Sequence, residues 1–112
     1  MRKLLSTDEF EEFYNSLESK TQEKFDYTMN VVITEHNIST KFVKKLVGTS
    51  LYEMRVSVGK NAYRTILFAV DNENIILSQE IILLNGFLKK STKDYDKQIK
   101  KAEQILKNLS HD

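Results

Sequence analysis

Two arginines, Arg55 and Arg64, sit inside apolar runs where a guanidinium is an unusual guest. They lie on either side of Gly59-Lys60-Asn61, at comparable distance from it. If that triplet turns the chain into a tight hairpin, the two side chains come together on adjacent strands. Two cations so placed repel each other unless carboxylates or an anion stand between them. Glu53, Glu80 and the acids of the N-terminal segment are candidate carboxylates. A phosphate is the alternative partner, because the planar five-donor fork of arginine matches its oxygens. Beyond the third apolar run come Lys89, Lys90 and Lys93, placed to close the same site. By itself that cluster reads as solvated surface. Upstream, Lys41, Lys44 and Lys45 are free to face solvent or a polyanion.

Other chemistries find no support in the chain. It has no cysteine, which removes disulfides and thiolate metal sites. His36 and His111 are too few and too far apart for a zinc site. Gly48, Gly59 and Gly86 are dispersed, so there is no phosphate-cradling loop, and no nucleophile motif has a histidine partner. Glu53, Asp71 and Glu80 are scattered where a metal nuclease needs clustered carboxylates. Neither a metal nor a cofactor is expected. The N-terminus, MRKLLSTDEFEEF, turns acidic too soon for a signal peptide, and no run is long enough to span a bilayer. The expectation is a soluble cytoplasmic protein.

The net charge of +1 is uninformative, but its distribution is not. Residues 1–40 carry four basic residues against eight acids, and residues 41–112 carry thirteen against eight. Either these are two ordinary solvated surfaces, or a basic working face lies opposite an acidic back.

The elements that would position these groups can be read from periodicity. Residues 2–5 suit a short first strand. Ser6 and Glu9 form a capping box, and Phe10, Phe13, Tyr14 and Leu17 follow at helical spacing, predicting a helix over 7–18. Phe25, Met29, Val32, Ile33 and His36 share one face of a second helix over 21–36, with His36 a packed or capping residue at its end. The short link between the two favours an antiparallel helical hairpin. Residues 37–50 read as a connector broken at Gly48-Thr49-Ser50 and anchored by Phe42, Val43, Leu46 and Val47. Three strands follow over 51–58, 62–70 and 75–84, joined by short polar turns that favour antiparallel pairing. The third is apolar on both sides, which suggests a central place, with Asn85-Gly86 ending it. Tyr95, Ile99, Ala102, Ile105 and Leu106 repeat at helical spacing, predicting a last helix over 94–108, with 109–112 fraying. The 112 residues fit one domain of α+β class. Its helices would cover one face of a small antiparallel sheet: two N-terminal helices, a three-strand meander with a short first strand, and a closing C-terminal helix.

Read in order, Lys45-Leu46, Leu51-Tyr52-Glu53-Met54-Arg55, Tyr63-Arg64 and Leu83-Leu84-Asn85-Gly86-Phe87-Leu88-Lys89-Lys90 form a pattern. It resembles that of RelE/HigB-type toxins, and in particular their phage-derived HigB-like branch. The resemblance spans about residues 42–106 and extends to the first two helices by type and place alone. Three positions depart from it. Asn85 stands where the branch commonly has histidine, Glu53 where RelE itself has a basic residue, and Asp94-Tyr95 where Thr-Pro is usual.

The resemblance implies a RelE-like fold and the toxin of a type II toxin–antitoxin pair. Such toxins enter the ribosomal A site and cleave mRNA without a metal. On the matching positions Arg55 and Arg64 would hold the scissile phosphate. Lys89 and Lys90 would contact RNA or neutralise the transition state, and Tyr95 would stack on a base or assist proton transfer. Lys41, Lys44, Lys45 and Lys93 would grip the RNA backbone. The implied partners are a cognate antitoxin encoded nearby, the ribosome and mRNA, with no membrane. Two other readings stay open: a ParE-like protein that acts by binding DNA gyrase, and a non-enzymatic member that binds antitoxin or RNA. Arginines converging with Lys89 and Lys90 favour the nuclease. Arginines buried in salt bridges with Glu53 or Glu80 favour the non-enzymatic member.

Overall fold

The computed structural model describes residues 1–110. Strand β1 (Lys3–Ser6) leads into helices α1 (Asp8–Asn15) and α2 (Ser19–Thr34). Strands β2 (Val43–Lys45), β3 (Leu51–Val58) and β4 (Asn61–Ala69) follow, then a 3-10 turn at Ile75–Leu77, strand β5 (Glu80–Leu88) and helix α3 (Thr92–Leu109). The five strands form one sheet in the order β1-β5-β4-β3-β2, antiparallel except for the parallel pair β1 and β5. The α+β class and the central meander are as the periodicity predicts. The parallel partner of β1 and the short β2, inside the expected connector, are not.

The β3–β4 hairpin closes on the pair Val58 and Asn61, leaving Gly59-Lys60 as a two-residue loop. Gly59 takes φ 59°, a conformation in which a side chain would be strained. Beyond β4 the expected strand over 75–84 is displaced. Asn74 accepts from the Ile76 N–H at 3.0 Å and starts a 3-10 turn instead. Asp71 then gathers the N–H groups of Gln79 at 3.0 Å and Glu80 at 3.1 Å, together with the Ser78 hydroxyl. Only at Glu80 does the chain become extended, and β5 runs through Asn85-Gly86 to Leu88.

Gly86 therefore does not end a strand; it lets one be covered. A Cβ there would lie 2.3 Å from the Phe13 ring of α1. A bulge falls beside it. Ile66 pairs with Asn85 while Leu67 pairs with Leu83, so Leu84 is the extra residue.

Helices cover both faces of the sheet, not one as expected. On one face α1 and α2 bring Phe10, Phe25 and Val32 against Met54, Val56, Leu67, Ile81 and Leu83. On the other, Ala102 and Ile105 of α3 pack on Leu51, Ile66, Leu84 and Phe87. This follows from β5 itself, whose two apolar sides each need a cover.

The caps shift the helix ends. Thr7, not Ser6, caps α1, its hydroxyl accepting from the Phe10 N–H at 3.1 Å, because Ser6 is paired in β1. His36 is exposed and lies past the end of α2, so it neither packs nor caps. The cap comes from Arg2, a buried guanidinium that donates to the carbonyls of Val32, Glu35, His36, Ile75 and Ile76. Ser91 caps α3. That helix continues to Leu109 with Ser110 as its C-cap, so fraying does not begin at 109; residues 111–112 lie outside the described ones. Among the described residues no helix is long and apolar enough to cross a membrane.

Candidate active site

Arg55 of β3 and Arg64 of β4 are direct cross-strand partners. Opposed residues of an antiparallel pair point to the same face; here it is the face covered by α3. The two arginines differ in surroundings. Arg64 is buried, 5% exposed, and its Nε lies 2.9 Å from Glu53 Oε2. The Nε–H is not aimed at that oxygen, so the contact is one of charge more than of hydrogen bonding. Arg64 Nη1 also donates to the Tyr63 carbonyl at 3.0 Å. Arg55 is half-buried and has no carboxylate partner among the described residues. Glu53 thus neutralises one guanidinium of the pair and leaves the other.

The N-terminal turn of α3 completes the cluster. The Tyr95 hydroxyl donates to Glu53 Oε2 at 2.5 Å. Its ring stands edge-on to Phe87, the cross-strand partner of Arg64, with centroids 5.6 Å apart. Lys89 Nζ lies 5.6 Å from the Tyr95 ring centroid. Burial first, then the hydrogen bond from Tyr95 to Glu53 and the charge of that carboxylate, push the phenol's pKa well above its ordinary value; Arg64 and Arg55 pull the other way. Tyr95 is therefore a neutral hydroxyl at physiological pH, able to pass a proton but not to stand as a phenolate. Among the described residues no three His, Asp or Glu side chains gather as a metal site would need.

Other residues singled out from the sequence are spread around this cluster. Lys44 of β2 is opposite Glu53, so it shares the arginine face. Lys45 is on the other face, with Nζ 4.9 Å from the Tyr52 ring centroid and bonded to the Thr49 carbonyl, at the far end of β3. Lys90 and Lys93 are exposed. Glu80 is far along β5 and pairs with neither arginine. Asn85 is buried, with its side-chain amide donating to Gln98 of α3 at 3.0 Å. It fastens α3 to β5 on the face that the arginines share.

Residues 12–107 match the model of the phage-derived Gp49-like proteins. The chain belongs to that family. Among curated proteins none matches it. The Gp49-like chain also has the fold of RelE. It resembles an arginine-to-alanine double mutant of the E. coli toxin RelE in the free state, with TM-score 0.62 and 14% identity over 88% of this chain and 95% of that one. It likewise resembles a chain of the intact E. coli RelBE toxin–antitoxin complex, with TM-score 0.59 and 14% identity over 81% of this chain and all of that one.

A groove of about 410 Å³ runs round the edge of β3 beside the arginines of the Gp49-like chain. It is open there because β2 ends at Val43, opposite Met54, and only the Phe42 carbonyl continues the pairing, to the Arg55 N–H at 2.8 Å. Lys41 lines it, as its place before β2 allows, and so do Lys24, Tyr27 and Thr28 of α2. Sequence reading missed Lys24 and Tyr27. The signal was present, since both fall outside the apolar stripe of α2, but nothing in the sequence said that this part of α2 would face the arginine edge.

Proposed function

We propose that this protein is the toxin of a type II toxin–antitoxin pair, a ribosome-dependent mRNA endonuclease held in check by an antitoxin. The observation that carries this reading is an unneutralised Arg55, cross-strand from Arg64 and beside a Tyr95–Glu53 proton pair, on a RelE-like fold. Arg55 and Lys89 bind the non-bridging oxygens of the scissile phosphate and stabilise the charge that builds on them. The ribose 2′-oxygen attacks the adjacent phosphorus, and the bond to the 5′-oxygen breaks, leaving a 2′,3′-cyclic phosphate and a 5′-hydroxyl. The 2′ proton passes to the Tyr95 oxygen as that hydroxyl gives its own proton to Glu53, so no phenolate forms. The departing 5′-oxygen takes a proton from the Lys89 ammonium. Solvent then returns a proton to Lys89 and removes one from Glu53. The RelBE complex pairs a toxin with its antitoxin. By likeness of fold, the partner here is a small protein encoded beside this one.

Translating extracts test the reading. Wild-type protein cuts mRNA and arrests growth on induction while DNA supercoiling stays unchanged, which separates it from a gyrase-directed protein. Arg55→Ala lowers cleavage by about 10² to 10³-fold, and Tyr95→Phe by about 10²-fold. Neither change unfolds the protein. Intact mRNA with wild-type protein, or full cleavage by Arg55→Ala, overturns the proposal.

One observation favours a second reading. Arg64 is buried in a salt bridge with Glu53, the arrangement expected of a member that binds antitoxin or RNA without cutting it. That reading predicts RNA binding by the wild type that depends on Arg55, with no cleavage in any extract.

A further inference from the structure

The groove at the free edge of β3 joins features found in surfaces that hold single-stranded nucleic acid. Lys24, Lys41, Arg55 and Arg64 line it, and no carboxylate does. Tyr27 is 62% exposed, a large ring left in solvent with no hydrogen bond from its hydroxyl among the described residues. It stands 6.4 Å from the Phe42 ring, and Lys41 Nζ lies 5.7 Å from the Phe42 centroid. A solvated charge run has no need of two aromatic rings. An apolar docking face would not be rimmed by Lys24, Lys41 and the unneutralised Arg55. Bases stacked on rings, with phosphates between cations, require both.

We infer that this groove is a second RNA subsite, in which the exposed Tyr27 ring, propped by the tilted Phe42 ring, stacks a base flanking the cleaved step while Lys24 and Lys41 hold its phosphates. The inference rests on the RNA-cutting reading, because Arg55, which binds the scissile phosphate in that reading, also lines the groove. A strand whose scissile phosphate sits at Arg55 continues round the edge of β3 onto α2. The subsite takes single strands only, since a stacked base must be unpaired to present its face. It selects little by sequence, because every base offers a π-face.

The probe is a fluorescein-labelled 2′-O-methyl RNA 9-mer, which cannot be cleaved, with binding read by anisotropy at several salt concentrations. Tyr27→Ser weakens binding about tenfold, and Tyr27→Phe restores it. Lys24→Ala and Lys41→Ala each flatten the dependence of log K on log salt by about 0.7. All variants keep the wild-type melting temperature, as the exposure of these side chains requires. Arg55→Ala, measured beside them, reads the active site separately. If Arg55→Ala weakens binding and Tyr27→Ser does not, the subsite is wrong and the proposed function stands. If wild-type protein cuts mRNA in extracts but Tyr27→Ser weakens only capture of the antitoxin, the groove serves a protein and the inference is overturned. A 9-mer that the wild type does not bind overturns it as well.

Discussion

Glu53 decides the electrostatics of the site. Seen as a sequence position it looks like an acid intruding among cations, but in the fold it permits two arginines to face each other across β3 and β4. Its carboxylate meets Arg64 Nε and the Tyr95 hydroxyl at once. The arginines consequently have different fates on mutation. Removing one member of a buried ion pair strands the other, which costs about 3 kcal/mol or more. Glu53→Ala should lower urea-unfolding stability by that amount, whereas Arg55→Ala should leave it within about 0.5 kcal/mol. Equal losses in the two variants would show that Arg55 is as structural as Arg64. The difference also makes Arg55 the cleaner probe of chemistry, since Arg64→Ala mixes lost activity with lost folding.

Among the elements, β5 and the loop before it bear the most constraint. α1 sits close over Gly86, so Gly86→Ala drives a methyl into the Phe13 ring. Overpacking of this kind costs about 1–3 kcal/mol. Thermal melts of Gly86→Ala should show that loss, and Phe13→Leu added to it should recover part. A double variant no better than Gly86→Ala would mean that the backbone, and not the ring, takes up the strain.

The loop from Asp71 to Ser78 is held by one carboxylate. The hydrogen bond from Ser78 first, then the Gln79 and Glu80 N–H groups, lower the Asp71 pKa from its ordinary 3.8 to about 2. A depressed carboxylate contributes stability above its ordinary value and loses it as the pH falls through the folded one. Asp71→Ala should therefore melt below the wild type at pH 7, with the gap closing as pH falls from about 4 towards 2. A gap that stays constant over that window would mean that the loop is not held by charge.

At the scale of the molecule, the sheet is sealed on both sides and tied at one end by Arg2. That side chain satisfies carbonyls at the end of α2 and in the 3-10 turn, joining three distant parts of the chain. Helix ends leave carbonyls unmet, and charged donors to them are worth more than neutral ones. Arg2→Met, which keeps length and loses the donors, should destabilise by about 2–4 kcal/mol in chemical denaturation. A smaller loss would mean that water replaces the guanidinium. Sealing both faces leaves the rim of the sheet for partners, and there the cations from both halves of the chain gather. Lys24 joins them from the acidic first forty residues.

What the sequence determined by itself was local. Helical and strand periods placed all three helices and the β3–β4 hairpin, because a stripe or an alternation is a property of neighbours. The arginine pair was legible for the same reason, since a short loop closed by Gly59 sets the register of the strands on either side. The pairing of Arg64 with Glu53 was visible only as one of two alternatives.

Long-range contacts decided the rest. β5 slid to Glu80–Leu88 because Asp71 and Asn74 organised the residues before it. Asn85-Gly86 became strand interior because Phe13 needed the space above Gly86. Lys45 fell to the other face, away from the arginines, while Lys24 and Tyr27 arrived beside them. Exposed side chains carry no periodic signal of which neighbour they will meet, and only the packing of α2 and α3 on opposite faces of the sheet supplied it.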